Sequence, residues 1–430
     1  MTRESSARGA FVAFRDPSFK WHWFSTLASF SAMQMQGIAL GILGWEMSHS
    51  YTVVGILQAA FALPMAVLSL PGGALVDRVE KRRVIVASQL ILALLGTVIA
   101  ALVQADRITL VLLFGSGLVQ GAMFSVNGPA RMALLTEMVA PAELSAAISM
   151  QNIAMNSTRV IAPAIAGLFI AFVSIEGAYY LAGLLYVVCV MLILQIPRSP
   201  GHAGRSRSPL LSDIRAGLGY VAGDRMLRSL MLSGLTIALF IMPYQVMLPG
   251  FAGSLGHSEL LGAMVAISGV GGLIGAFAVA SIGDHPRKPY VQFLFGLTSG
   301  ASLIALGLLA TRFGLPGAFA SLGVVGAASM SYMTLNQTML MTGAAPEFRG
   351  RVSSISMLTF SAMPLMALPL GVFADLVGGG WAFVAQGAIV LSVILLLAFT
   401  NRAHTFARRA ATPLPAPPEA DAATARPSGV

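Results

Sequence analysis

The chain has 430 residues, of which 56% are hydrophobic and only 10% are charged. A soluble domain is about a quarter charged, so this supply of charge cannot cover a water-facing surface. The composition excludes an ordinary soluble protein. The single cysteine, Cys189, also excludes an internal disulfide and a cysteine-based metal site.

Apolar runs long enough to cross a bilayer recur along most of the chain. A helix of about 20 apolar residues spans a hydrocarbon core about 30 Å thick. Breaks at charges and turn residues predict twelve spans: 21–46, 52–76, 84–104, 108–130, 143–172, 177–197, 226–252, 259–283, 290–310, 313–341, 350–376 and 380–401. The fold class predicted is an all-α integral membrane protein of twelve transmembrane helices.

A long polar stretch between the sixth and seventh spans divides the chain. The predicted organisation is an N-terminal tail over 1–20, a six-helix bundle over 21–198, a linker with a short interfacial helix over 199–225, a second bundle over 226–402 and a disordered tail over 403–430. Two pairs of similar sites, Asp77 with Asp284 and Asn127 with Asn336, suggest that the bundles are repeats.

The basic residues are unevenly shared between the two sides of the membrane. With the N-terminus inside, 23 of the 26 Lys and Arg fall on the inner side and two on the outer side, and Arg159 lies within a span. Because cytoplasmic segments retain cations, both termini and the linker are predicted to be cytoplasmic. The net charge of +9 is therefore explained by topology, and no nucleic-acid partner is expected.

The stretch GALVDRVEKRR resembles the motif that follows the second span in the major facilitator superfamily, although Glu80 replaces the second glycine of that motif. The resemblance implies two bundles that rock around a midplane site. It also implies a conformational latch formed by Gly73, Asp77, Arg78, Arg82 and Arg83. The alternative for this stretch is a solvated, positively charged stop after the span.

Three longer stretches narrow the resemblance. RDPSFKWHWFSTLASFSAMQMQGIALGILGWEMSHS, the segment that begins NGPARMALLTEMVAPAEL, and the segment that begins APEFRGRVSSISMLTF are similar to the enterobactin-exporter-like branch of that superfamily. This branch is bacterial and contains exporters of siderophores and drugs. The resemblance implies a multi-pass protein of the bacterial cytoplasmic membrane.

Candidate residues for substrate binding or ion coupling lie within or at the ends of spans. Arg159 lies deep in the fifth span, where an ionisable group normally faces a cavity or a partner; a structural arginine is the alternative. Glu46, ahead of Asp375, is the candidate for proton coupling, although both could be ordinary helix-end charges. By the resemblance, spans 1, 4, 7 and 10 line the cavity with Gln34, Gln36, Gln120, Asn127, Tyr244, Gln245, Tyr332 and Asn336.

The predicted function is export of a small amphipathic organic molecule by alternating access, with protons as the coupling ion. Uptake by the same fold and a non-transporting membrane partner are the alternatives. No phosphate-binding loop or metal-ligand spacing occurs, so no enzyme activity, cofactor or metal is predicted. The expected partners are the substrate, protons and the lipid bilayer, around a monomer.

Overall fold

The structure is a computed structural model that describes residues 12–140, 143–197, 218–256, 260–282, 287–345 and 348–400. Its long helices are α1 Pro17–Ser48, α2 Tyr51–Arg78, α3 Lys81–Gln104, α4 Leu110–Met138, α5 Leu144–Phe172, α6 Ile175–Leu194, α7 Arg225–Phe240, α8 Tyr244–Ser254, α9 Leu261–Ile282, α10 Lys288–Phe313, α11 Leu315–Gly343, α12 Arg349–Val377 and α13 Gly379–Thr400. The all-α membrane fold is confirmed.

Each predicted span falls on a helix, but the seventh differs from the prediction. The expected single helix over 226–252 is two helices, α7 and α8, which are separated by Ile241–Pro243. Proline has no N–H to donate and its ring collides with the preceding turn, which interrupts the helix at Pro243. Of the predicted interfacial helix, residues 218–223 are helical, and its earlier part lies outside the described residues.

Among the described residues, ten segments are long and apolar enough to cross a membrane, with α7 and α8 counted as one. Helices α5 and α12 are also long enough, at 29 residues each, but parts of them lie outside the described side chains. Large apolar side chains such as Phe172 and Leu376 point outward, as expected for a surface that faces lipid.

The helices pack as two sets that touch along two pairs. In the first set α2 packs on α4, α3 on α6, and α1 on both α5 and α6. In the second set α9 packs on α11, and α10 on both α11 and α13. The main contacts between the sets are α2 with α12 and α5 with α9. The second span of each set therefore lies against the fifth span of the other.

The bundle has two ends, called here the basic face and the opposite face. The basic face contains the start of α1 and the α2–α3 connection, with Arg78, Lys81, Arg82 and Arg83. The opposite face contains the α1–α2 connection at His49 and Ser50 and the end of α12 at Asp375.

Candidate functional site

A buried arginine lies in the half of the first set nearer the basic face. The predicted fourth span ended at residue 130, which placed Arg131 among the cations of the inner side, and this placement was wrong. Helix α4 continues to Met138, so Arg131 lies about two turns inside it and is 3% exposed. Burial of an arginine without a counter-charge costs several kcal/mol of folding free energy. The groups that surround Arg131 must therefore compensate for this cost.

The guanidinium of Arg131 is surrounded by neutral groups from three helices. Its Nε donates to Asn127 Oδ1 at 2.8 Å. One terminal nitrogen donates to Ser25 Oγ at 2.9 Å and to Thr26 Oγ1 at 3.2 Å. The other donates to Cys189 Sγ at 2.9 Å and, at 3.5 Å, to the carbonyl of Ser25. All five N–H groups therefore have partners, and none of these partners is an acid.

The polar cluster extends to two further helices. Asn127 Nδ2 donates to Ser88 Oγ on α3 at 2.8 Å, and Gln151 Nε2 on α5 donates to Thr26 Oγ1 at 2.8 Å. One turn earlier on α1, His22 is fully buried, and its two ring nitrogens have no hydrogen-bond partner among the described residues.

A small pocket lies directly beside Asn127. Its polar lining consists of Ser29, Gln89, Gln120 and Asn127, and its apolar lining is mainly Phe30, Met33, Phe61, Phe124 and Tyr186. The space has a volume of about 10 Å³, enough for a single water molecule. Helices α1, α2, α3, α4 and α6 all contribute, so the pocket is within the first set and not between the sets.

One amide in the pocket is incompletely satisfied. Gln89 is 1% exposed, and its Oε1 has no hydrogen-bond partner among the described residues. A buried polar atom left without a partner costs about 1–3 kcal/mol, so the pocket favours a polar occupant.

Aromatic rings form the apolar side of the pocket. Phe124 lies edge-on to Phe30 at a centroid distance of 5.9 Å and is tilted against Phe61 at 5.8 Å. The three rings come from α4, α1 and α2. None of the three was predicted from the sequence, because a phenylalanine within an apolar span does not differ in pattern from its apolar neighbours.

The structure brings together some of the sequence-predicted candidates in the first set but not all. Gln120 and Asn127 share the pocket. Gln36 instead points toward α3 and α6, where its amide lies beside Gly96 and accepts from Tyr186 Oη at 3.4 Å. Gln34 is half-buried and does not line the pocket.

In the second set the candidates make contacts within that set. Tyr244 bonds to Ser268 through their hydroxyl groups, and Gln245 is half-buried. Tyr332 lies against Gly296, and Asn336 Oδ1 accepts from Gln292 Nε2 at 2.7 Å. Asn336 therefore bonds to α10 as Asn127 bonds to α3, but the residue four positions on is Leu340 in place of Arg131.

On the opposite face a carboxylate joins the two sets. Asp375, at the end of α12, accepts from Ser50 Oγ at 2.7 Å and from the backbone N–H groups of Tyr51 at 2.8 Å and Thr52 at 2.9 Å. The first N–H groups of a helix have no partner within the helix and attract negative charge. Asp375 therefore caps α2 from the other set.

Close backbone packing extends this contact along α2 and α12. A Cβ atom at Gly55 would lie 2.7 Å from the carbonyl oxygen of Ala367, and Gly371 lies equally tight against Tyr51. No larger residue fits at these two positions without separating the helices. The sets are therefore closed against each other on the opposite face.

On the basic face the charged residues after α2 have several described partners. Arg82 donates to the carbonyl of Leu194 at the end of α6 at 2.9 Å, and Arg83 pairs with Glu80 at 2.6 Å. Lys81 is 6% exposed and pairs with Glu137 at 3.3 Å. Gly73 and Arg78 lie on α2, and Arg78 is exposed. The side chain of Asp77 lies outside the described residues.

Of the two charged candidates for coupling, Glu46 and Arg159, the structure describes the side chain of Glu46. Glu46 is exposed near the end of α1 on the opposite face. Arg159 lies within α5, and its side chain is outside the described residues.

Comparison with known proteins identifies the family. The family model described as transmembrane secretion effector matches residues 8–429, almost the whole chain. The chain belongs to that family. It is a transporter of the major facilitator superfamily, not an enzyme, and the predicted resemblance is confirmed.

Three named relatives align with this transporter over most of its chain and most of their own. The staphyloferrin A transporter of Staphylococcus aureus is 22% identical over 82% of this chain and 89% of its own. The multidrug efflux pump Tap of Mycobacterium tuberculosis is 27% identical over 84% and 88%. The enterobactin exporter EntS of Escherichia coli is 26% identical over 90% and 93%.

Solved structures support the fold of this transporter. A bacterial homologue of the iron transporter ferroportin, solved in an inward-facing state, aligns with a TM-score of 0.64 at 16% identity. The alignment covers 89% of this chain and 98% of that structure.

Proposed function

We propose that this transporter exports a small amphipathic organic molecule from the cytoplasm across the bacterial cytoplasmic membrane by alternating access. The observation that carries the proposal is a discrete polar contact that joins the two sets at the opposite face, the cap of α2 by Asp375. Contacts of this kind can be made in one state and broken in another.

The orientation in this proposal places the basic face in the cytoplasm. Its support is the uneven distribution of Lys and Arg, since cations are retained on the cytoplasmic side. Asp375 then closes the outer side. The state described here is one in which a substrate cannot leave to the outside.

The latch on the inner side is proposed for Gly73, Asp77, Arg78, Arg82 and Arg83. The support is the resemblance of this stretch to the superfamily motif, together with the bond from Arg82 at the start of α3 to the carbonyl of Leu194 at the end of α6. Asp77 would hold the inner ends when the outer ends separate, as Asp375 holds the outer ends here.

The direction of transport and the kind of substrate rest on the relatives. Two of them are named as an efflux pump and an exporter, and the substrates in the relatives' names are siderophores or drugs. The small pocket combines amide with phenylalanine and methionine side chains, so it could receive only a polar end group of such a molecule. Proton entry is the proposed driving force, with Glu46 and Arg159 as the candidates for coupling.

Everted membrane vesicles test direction and coupling together. A compound found by a thermal-shift screen of siderophores and antibiotics should accumulate in vesicles whose lumen is acidified, and a protonophore should abolish the accumulation. Asp77→Asn should reduce transport at least tenfold with normal insertion, since the inner latch is lost. Accumulation only in right-side-out vesicles would establish uptake, and insensitivity to the protonophore would exclude proton antiport.

A further inference from the structure

The pocket beside Asn127 binds, we infer, the carboxylate head group of an amphipathic substrate, and Arg131 sets this preference for an anion by acting through Asn127. This inference rests on the proposed function for the statement that the ligand is the transported molecule. The anion site itself depends only on the geometry of Arg131, Asn127 and the pocket.

The positive charge of Arg131 lacks a counter-charge among the described residues. Its partners are hydroxyl, amide, carbonyl and thiol groups, and His22 is the other titratable side chain on the same side of the cluster. A thiol and an imidazole supply no negative charge at neutral pH. Because water is excluded around a residue 3% exposed, the field of the guanidinium reaches the neighbouring pocket with little screening.

Asn127 transmits this charge to the pocket. A guanidinium can only donate, so Asn127 must present its oxygen to Arg131 and its nitrogen to the other side. One N–H of that nitrogen bonds to Ser88, which leaves the second for the pocket that Asn127 lines. An amide whose oxygen accepts from a cation becomes a stronger donor, because hydrogen bonds in a chain polarise one another.

The amide of Gln89 lies in the same pocket, with a buried oxygen that has no hydrogen-bond partner among the described residues. As placed, this oxygen can only accept. A half-turn that exchanges the oxygen and the nitrogen of the amide would present an N–H to a carboxylate that already accepts from Asn127. Gln120 lines the same space and can add a third donor.

The size and lining of the pocket select the rest of the ligand. Space for about one water molecule admits a carboxylate oxygen but not a whole drug-sized molecule. The apolar frame must therefore stay outside the amides, against Phe30, Phe61 and Phe124. An aromatic carboxylic acid meets both requirements.

The second set has an apolar residue at the position that corresponds to Arg131. Asn336 occupies the position that corresponds to Asn127 and likewise bonds to a neighbouring helix. The residue four positions later is Leu340, which is 1% exposed in an apolar cluster. A repeat that packs with leucine at this place indicates that arginine is kept in the first set for a different purpose.

Binding of matched probes to the purified full-length protein tests the inference without any transport assay. 1-Naphthoate, its neutral analogue 1-naphthamide and the cation 1-naphthylmethylammonium share one aromatic frame. The wild type should bind naphthoate about tenfold more tightly than naphthamide, and should bind the cation most weakly. Equal affinity for naphthoate and naphthamide would overturn the inference.

Asn127→Asp separates an electrostatic role from a structural one. The new carboxylate can accept from Arg131 as the amide does, so the fold is retained while the charge is neutralised. Both probes lose the Asn127 donor and should bind more weakly, but naphthoate also loses the attraction of the positive charge, so its preference over naphthamide should vanish. Arg131→Leu, which copies the second set, should remove the preference in the same way if it folds. A preference that survives in Asn127→Asp, with both probes weakened equally, would show that the charge of Arg131 does not act on the pocket.

Two controls complete the experiment. Gln386→Glu changes a buried amide to an acid in the second set, remote from the pocket, and should keep the preference. The measurements are repeated at low and high concentrations of sodium chloride. Loss of naphthoate binding at high chloride, with naphthamide binding unchanged, would show that the site holds an inorganic anion, and the assignment to a substrate would fail. If transport fails but the probes are distinguished, the proposed function is wrong and the anion site stands.

Discussion

Asp375 is a single carboxylate that bonds to the first turn of a helix in the other set. Asp375→Asn removes the negative charge, and an amide can accept at only one oxygen. A charge near a helix N-terminus contributes about 0.3–1 kcal/mol, and its hydrogen bonds add to this. We therefore expect the state open on the opposite face to gain about fivefold or more in population.

The accessibility of a reporter cysteine measures this shift. Ala252→Cys places a thiol at a position of α8 that is fully buried in the closed state, in the same apolar cluster as Tyr51. An impermeant maleimide should label it faster in Asp375→Asn. Asp106→Asn is the matched control, because Asp106 lies in the α3–α4 connection, where its left-handed backbone suits asparagine. Unchanged labelling in Asp375→Asn would show that the cap does not hold the opposite face closed.

Sequence alone could have located the buried arginine, at the level of single residues. The two asparagines, Asn127 and Asn336, were recognised as corresponding positions, and comparison of the residues four places on would have paired Arg131 with Leu340. The placement failed because the end of α4 was set at the first cation, whereas the helix continues to Met138. The roles of Gln89 and Asp375 depend on long-range contacts that no local pattern contains.

Helices α3 and α4 are tied together at the basic face by Lys81 and Glu137. Both side chains are largely buried, and removal of one partner leaves the other charge without compensation. Glu137→Gln should destabilise the folded protein by about 1–3 kcal/mol, whereas Lys81→Met with Glu137→Gln should recover part of the loss. Thermal unfolding in detergent measures both. Equal stability of all three proteins would show that the pair contributes nothing.

The helices themselves were largely predictable, because apolar length and flanking charges determine where a span begins and ends. The break between α7 and α8 was not predicted, although Pro243 is its local cause. Gly and Pro occur in most of these spans, so a proline alone does not distinguish a kink from a break. Tyr244 and Met247, which follow the break, are buried in an apolar cluster.

For the whole molecule, the sequence predicted two sets of helices but not how they meet. The contacts of α2 with α12 and of α5 with α9 join helices that are far apart in the sequence, and no composition or periodicity encodes that choice of partners. The close approach at Gly55 and Gly371 accounts for the contact between α2 and α12, because only small residues let two backbones lie so near.

Alternating access requires that the two sets separate on the opposite face in every cycle. Ser50→Cys with Asp375→Cys replaces a hydrogen-bonded pair 2.7 Å apart by two thiols that an oxidant can join. The native Cys189 is fully buried and should not compete. Oxidation should stop transport of a substrate in everted vesicles, and dithiothreitol should restore it, whereas transport by each single cysteine variant should not respond to the oxidant. A cross-linked protein that still transports would show that the sets need not part on this face, and the rocking of two helix sets would have to be abandoned.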